Sequence, residues 1–274
     1  MSEEILRLDH VTKRFSGLVA VNDLSLSMKR RSIHALIGPN GSGKTTTVNM
    51  ITGTFPATSG DIYFKDTRTS DLPVFKIARL GVGRTFQNLK LFPSMTVLEN
   101  LMVGGHQMTK IGLWRFLVDF KGSRREEKMM EERAEEVLEY IGLENLRNEK
   151  VQNLAYGKQK MTELGRALMM KPELLILDEP AAGLNPSERK EFVDIILKTF
   201  EDGVDIFLIE HNMDVVMNIC NNITVLNFGA KIAEGTPDEI QNNEEVIKAY
   251  LGERYQPIMH IKEEAEEHAE GKKY

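Results

Sequence analysis

The chain has 274 residues, of which 41% are hydrophobic, so it can form one large globular domain or two small ones with a sizeable core. Its formal net charge of −6 argues against the basic surface that nucleic-acid binding needs, and we expect no nucleic-acid partner. Cys220 is the single cysteine, which excludes an internal disulfide and a cysteine metal cluster, and we expect it to be a small core residue.

The sequence contains no convincing membrane span. The most apolar candidate, residues 111–120, is too short and carries Arg115 and Asp119. The first residues also lack the apolar stretch of a signal peptide. We therefore expect a chain that is cytosolic or is attached to a protein that spans the membrane.

Apolar patterns predict strands in the first part of the chain. Residues 5–8 and 24–27 alternate apolar with polar side chains, and residues 33–37 form a nearly continuous apolar run. Residues 62–64 predict a further short strand after Gly60.

A glycine-rich loop follows the run at 33–37 and matches G-x-x-x-x-G-K-[ST] between a predicted strand and a predicted helix. The expected nucleotide-binding residues are Gly38, Pro39, Asn40, Gly41, Ser42, Gly43, Lys44, Thr45 and Thr46. Glycines let backbone N–H groups converge on an anion, and the helix N-terminus adds positive charge. We expect Lys44 to reach the β- and γ-phosphates and the Thr45 hydroxyl to bind Mg²⁺. The alternative is a chance glycine-rich turn.

From about residue 98 to residue 167 the pattern becomes helical and more highly charged. One apolar stripe at helical spacing consists of Met130, Ala134, Val137, Leu138 and Ile141. We interpret this part as a helical subdomain, at about residues 90–168, inserted in an α/β core.

Strand patterns return at residues 174–177, 206–209 and 223–225, separated by helical segments. Connections of this length allow crossovers, so these strands predict a parallel sheet. Asn185 and Pro186 mark one helix start, with Asn185 as N-cap.

Two adjacent carboxylates end the strand at 174–177. Side chains alternate along a strand, so Asp178 and Glu179 cannot do the same job. We expect Asp178 to hold Mg²⁺, directly or through water, and Glu179 to polarise the attacking water as general base. His211 follows the next strand and is a candidate contact of the γ-phosphate or the water. Solvated acids and a structural histidine are the alternatives, and the phosphate loop favours function.

With these motifs the chain resembles the ATP-binding cassette (ABC) ATPases over residues 4–252. Residues 82–87 resemble the family's Q-loop, which implies that Gln87 reaches the metal and the attacking water. Phe15 occupies the aromatic position that stacks on adenine. The position of the signature motif, which contacts a partner's ATP, is occupied by Leu154, Ala155, Tyr156, Gly157 and Lys158. The D-loop position is occupied by Gly183, Leu184 and Asn185.

The resemblance implies an α/β P-loop NTPase fold with a mostly parallel sheet, an N-terminal antiparallel β subdomain and the inserted helical subdomain. It implies one ABC ATPase domain at residues 1–254, followed by a polar tail at 255–274 whose composition predicts a frayed helix or disorder. The implied cofactors are ATP and Mg²⁺. The implied catalytic residues are Glu179, His211 and Gln87, and the implied metal ligands are Thr45, Gln87 and Asp178.

More narrowly, the chain is similar to the ATPase of branched-chain amino acid importers. The resemblance lies at residues 84–87, 95–101, 178–186, 226–229 and 249–253. Close relatives import urea or other amides, and no residue of this chain is expected to touch the solute.

A single phosphate loop implies a head-to-tail dimer, because the signature motif must serve the ATP of a second ABC ATPase subunit, which is a related partner or a second copy. The resemblance further implies permease subunits docked near Gln87 at the cytoplasmic face of the membrane, and indirectly a solute-binding protein. A candidate dock, for which core burial is the alternative, consists of Leu113, Trp114, Phe116 and Leu117.

Two other classes compete with a transporter subunit. Soluble ABC proteins of repair or translation usually carry two cassettes or long coiled-coil insertions, which this chain lacks. A regulatory module without turnover would lack Glu179 or His211. The chain also departs from the family, with Ala155 in place of the signature serine, Lys158 in place of a common glutamine and Asn212 in place of a frequent aspartate. We therefore expect two unequal composite sites.

Overall fold

The computed structural model describes residues 3–105 and 120–251, with backbone alone at 120–125 and at 251. The strands are β1 Glu4–Phe15, β2 Leu18–Lys29, β3 Ile33–Ile37, β4 Ser59–Phe64, β5 Thr67–Arg68, β6 Val82–Arg84, β7 Leu174–Asp178, β8 Asp205–Ile209, β9 Asn222–Asn227 and β10 Ala230–Gly235. The helices are α1 Lys44–Ile51, α2 Val74–Arg79, α3 Val97–Gly105, α4 Phe120–Tyr140, α5 Tyr156–Leu168, α6 Pro186–Glu201, α7 Met213–Ile219, α8 Pro237–Gln241 and α9 Glu244–Leu251. The candidate dock at 113–117 and the tail at 255–274 lie outside the described residues.

The strands form two sheets. The first is antiparallel, with the order β2-β1-β4-β5. The second has the order β10-β9-β3-β8-β7-β6, and its neighbours are parallel except for β9 and β10. This confirms the predicted α/β architecture with a mostly parallel sheet and an antiparallel β subdomain. Strands β5, β6 and β10 were not predicted.

The helices α3, α4 and α5 pack on one another and share a core with the parallel sheet. Most of the predicted apolar stripe is buried here: Ala134, Val137 and Leu138 are buried, and so is Ile141, one residue after α4 ends. Met130, the first member of the stripe, is half-buried and packs against the same core. Cys220 is also buried in this core, as predicted, and burial raises the pKa of its thiol to about 12. A second core, which includes Val48 of α1, fills the space between the two sheets.

The strand order decides where the functional loops meet. Strands β3, β8 and β7 are neighbours and parallel, so the loops at their carboxyl ends lie at one edge of the sheet. These loops contain the phosphate-loop residues, Glu179 and His211. Among the described residues, no helix has the length and apolar character needed to cross a membrane.

Candidate functional site

The phosphate loop lies so close to its neighbours that side chains are excluded at two glycines. A Cβ at Gly38 would come within 2.1 Å of the carbonyl oxygen of Leu226, and one at Gly43 within 2.5 Å of the carbonyl oxygen of Ala20. Gly43 has a φ of 104° and caps α1 without a side-chain hydrogen bond. The first N–H groups of α1 therefore have no capping side chain and can bind an anion.

Lys44 places a buried cation in this loop. The side chain is 8% exposed, and its Nζ donates hydrogen bonds to the carbonyl oxygens of Gly38 at 2.7 Å and Pro39 at 3.0 Å. Burial lowers the pKa of Lys44, and the charges of Glu179 and Asp178 oppose this shift. The Oγ of Ser42 is also buried and has no hydrogen-bond partner. A phosphate group would provide acceptors for both side chains.

Asp178 forms an ion pair with Arg84, a residue to which the sequence motifs assigned no role. The carboxylate is 2% exposed, and its Oδ2 lies 3.0 Å from Nη2 of Arg84. Nη1 of Arg84 donates to Oδ1 of Asn49 at 2.8 Å and to Oγ1 of Thr52 at 3.0 Å. Burial raises the pKa of Asp178, and the hydrogen bond and charge of Arg84 oppose it. Arg84 thus joins β6 and β7 to α1 beneath the phosphate loop.

Gln87 and His211, the other two expected catalytic residues, both lie near the carboxylate of Glu179. Nε2 of Gln87 donates to its Oε2 at 3.0 Å, and Nδ1 of His211 lies 3.8 Å from the same oxygen. The Glu179 backbone has a φ of 50°, a left-handed conformation that is uncommon for a residue other than glycine. Nζ of Lys160 donates to the Glu179 carbonyl oxygen at 2.9 Å and holds this conformation.

Glu210 braces the loops that carry Glu179 and His211. It is fully buried, and its Oε1 accepts from the backbone N–H of Ala181 at 2.8 Å. Its Oε2 accepts from the N–H groups of His211 at 2.9 Å and Asn212 at 3.0 Å. Sequence reasoning missed this role, although a carboxylate directly after a buried strand was a usable signal.

The signature segment lies at the start of α5. Ala155 is the N-cap of this helix and makes no side-chain capping bond. Tyr156 is 43% exposed, whereas Lys158 pairs with Glu191 of the same chain at 3.1 Å. Gly157 is buried against α6, where a Cβ would come within 2.6 Å of Oε1 of Glu188.

The D-loop residues lead into α6. Leu184 is only 5% exposed and belongs to the core, and Gly183 has a φ of 77°. Asn185 caps α6 in a capping box with Glu188, with Pro186 in the first turn, which confirms the predicted helix start. Asn212 caps α7 by accepting from the N–H of Val215 at 3.3 Å, a role that aspartate fills equally well.

A cleft of about 420 Å³ opens above the phosphate loop. Its lining consists of Leu18, Val19, Ala20, residues 40–46, Gln87, Glu179 and Phe228. None of the five signature residues belongs to this lining. Phe15 is not part of it either: its ring is 42% exposed and packs edge-to-face on Phe55 with centroids 5.4 Å apart.

Known protein families and curated proteins match the chain over most of its length. The family described as ABC transporter matches residues 21–182, and the family described as branched-chain amino acid ATP-binding cassette transporter matches residues 230–256. The high-affinity branched-chain amino acid transport ATP-binding protein LivG of Salmonella typhimurium is 47% identical over 254 residues, which are 92% of this chain and 100% of LivG.

Two solved structures are also similar. A nucleotide-free ATP-binding cassette from an ABC transporter is 33% identical with a TM-score of 0.80, and the alignment covers 91% of this chain and 100% of that chain. A bacterial ABC transporter cassette solved as a dimer is 25% identical with a TM-score of 0.72, covering 85% and 98%. These findings confirm the family resemblance.

Proposed function

The chain belongs to the ABC transporter family, and we propose that it is the ATP-hydrolysing subunit of an importer of branched-chain amino acids. One observation carries the choice of solute: the 47% identity to LivG extends over the whole of that protein. The match of residues 230–256 to the branched-chain family supports it. Members of the ABC transporter family bind ATP and hydrolyse it to drive transport, and this chain is an ATPase of that kind.

The chemistry that we propose uses side chains at the sheet edge. The phosphate loop and the Lys44 ammonium bind the phosphates, and Glu179 accepts a proton from the attacking water. Gln87 orients the Glu179 carboxylate through its 3.0 Å hydrogen bond. His211 donates a hydrogen bond to the γ-phosphate or to the water.

Mg²⁺ fits this donor set. The described residues contain no group of three or more acidic, histidine or cysteine side chains that could hold a metal by themselves. Mg²⁺ does not need such a cage, because it keeps several waters and shares nucleotide phosphates. We propose that Thr45, Asp178 and Gln87 would hold the ion. When bound, it would neutralise charge on the phosphates.

We further propose that two cassettes close on ATP head to tail. The signature residues are absent from the cleft lining of their own chain, which is expected if they serve a partner's ATP. The partner is a second ABC ATPase subunit. The pair drives permease subunits from the cytoplasmic face of the membrane, and a solute-binding protein delivers the solute to these permeases. The dimeric cassette structure among the similar proteins supports this arrangement.

The test is solute uptake by the complete transporter. The complex isolated from its host through a tag on this chain is placed in liposomes, and ATP-dependent uptake of labelled leucine, isoleucine, valine and urea is measured with the solute-binding protein present. We expect uptake of the three amino acids, and none with Glu179→Gln. Uptake of urea alone would contradict the proposal that branched-chain amino acids are the solutes. ATP hydrolysis by a chain that associates with no permease would overturn the transporter role.

A further inference from the structure

The turn between β9 and β10 carries an aromatic side chain in an unfavourable setting. Phe228 has a φ of 46° and Gly229 a φ of 82°, and a type I′ hairpin turn requires positive φ at both of these positions. Asn-Gly suits such a turn, whereas a bulky residue at positive φ is an outlier. Phe228 is nevertheless 88% exposed, so burial of its ring does not offset this strain.

The backbone of this turn is fixed between the phosphate loop and β2. The N–H of Gly229 donates to the carbonyl oxygen of Ser42 at 3.0 Å, and the Gly229 carbonyl oxygen accepts from the N–H of Asn22 at 2.8 Å. A Cβ at Gly229 would come within 2.9 Å of the carbonyl oxygen of Ala20. Phe228 therefore leaves the chain from an anchored point beside the phosphate loop.

The cleft lined by Phe228 has an apolar rim that phosphates cannot use. Leu18, which is 66% exposed, and Val19, which is 37% exposed, line the same cleft. If the phosphates of a nucleotide bind to residues 40–46, the parts of the nucleotide that can make apolar contacts with this rim are the faces of its base and ribose. An aromatic ring binds such faces by stacking, whichever base is present.

We propose that Phe228 is a contact of the nucleoside part of the bound nucleotide, an inference that rests on the proposed ATPase function. The ring covers the base and ribose while the phosphate loop holds the phosphates. It acts in addition to Phe15, whose ring packs on Phe55 outside the cleft lining. The strained turn is then explained by the position that it gives the ring.

The test separates the ring from the turn. Phe228→Asn creates the Asn-Gly sequence that the turn favours and removes the ring. Calorimetry on the isolated chain with Mg²⁺ should give about 5- to 150-fold weaker ATP binding, the range for one lost base stack, with unchanged binding of inorganic tripolyphosphate. The melting temperature should stay equal or rise. Phe228→Tyr should keep ATP affinity, and Phe75→Ala, an exposed phenylalanine outside the cleft lining, serves as control.

Unchanged ATP affinity in Phe228→Asn would overturn the proposal, and a defect confined to dimer formation would assign the ring to a partner cassette instead. Equal losses of affinity for ATP and tripolyphosphate would also overturn the proposal, because the substitution would then act only by disturbing the phosphate loop. A Lys44→Ala chain that binds ATP as well as the original would contradict the proposed nucleotide site itself, so the two failures are distinguishable.

Discussion

Gln87 donates a 3.0 Å hydrogen bond to the carboxylate of Glu179. The segment that carries Gln87 is bound in turn to α5, because Glu163 accepts from the backbone N–H of Lys90 at 3.1 Å and Arg166 donates to the Lys90 carbonyl oxygen. A movement of the helical subdomain would therefore shift Gln87 relative to Glu179. If a permease docks on the helical subdomain as proposed, this contact would link it to the proposed general base.

Glu179→Gln should keep ATP binding and stop hydrolysis, because the amide preserves the shape of the side chain but cannot accept a proton. Phosphate release at saturating ATP measures the loss, and size-exclusion chromatography with the natural partner should show more dimer in ATP. Glu144→Gln, at an exposed position on a short helix, is the control. Turnover equal to the original would exclude Glu179 as the base.

Lys44→Ala should abolish tight ATP binding. Each hydrogen bond from the ammonium to phosphate contributes about 1.5–3 kcal/mol, and the variant leaves phosphate charge unpaired. Calorimetry with Mg²⁺ measures the affinity. Lys248→Ala, an exposed lysine on α9, should bind ATP normally. A folded Lys44→Ala variant with unchanged affinity is the result that contradicts the phosphate-loop interpretation.

Phe15→Ala should weaken ATP binding by about 1–3 kcal/mol, the range for a lost base–aromatic stack, and leave tripolyphosphate binding unchanged. The ring also packs on Phe55, so the melting temperature is measured in parallel. If stability falls and ATP affinity does not, Phe15 serves only to pack against Phe55.

His34 should make the fold less stable in acid. The side chain lies in β3, is 1% exposed and has its Nε2 2.8 Å from Oγ1 of Thr224. Burial lowers its pKa from 6.5 to about 4. The unfolded chain thus takes up this proton first, so the contribution is full above pH 6.5 and is lost as the pH falls towards 4.

At pH about 5 the expected loss from His34 is about 2 kcal/mol of unfolding free energy. Urea unfolding at pH about 7.5 and about 5 measures it, with His34→Gln as the comparison, because the amide can keep a hydrogen bond to Thr224 and does not titrate. An equal pH dependence in both proteins would show that His34 does not set this acid sensitivity.

Ala155→Ser should strengthen the composite site that uses this chain's signature segment. The N-cap of α5 has no side-chain hydrogen bond, and a serine hydroxyl there can donate to a partner's γ-phosphate. We expect a gain of about 1.5–3 kcal/mol, seen as dimerisation or turnover at lower ATP concentration. The loss in the natural chain should be partial, because the helix N-terminus still attracts the phosphate.

An ATP titration of both proteins with the same partner is the comparison for Ala155→Ser. Lys158 already pairs with Glu191 at 3.1 Å, so Lys158→Ala should change this titration less than the serine does. A serine variant that closes and hydrolyses no better than the original chain would mean that Ala155 does not limit the site.

The local motifs could be predicted from sequence because their residues are adjacent in the chain. The phosphate loop needs glycines beside a helix start, and the carboxylates of Asp178 and Glu179 need only the end of a buried strand. The positions of the parallel strands followed from apolar runs of the right length, and α4 from its spacing. Strand β6, which is also parallel, was not predicted, because three residues are too few to show the alternation of side chains typical of a strand.

The amino-acid sequence thus determined by itself which residues are proposed to bind phosphate and which strands carry them. Only the tertiary structure decided the contacts between distant segments: Arg84 on Asp178, Gln87 on Glu179, and Glu210 on the N–H of Ala181. These partners are 94, 92 and 29 positions apart, and they meet because β6, β7 and β8 lie side by side in the sheet. Strand order depends on the packing of the whole core, which no local pattern specifies.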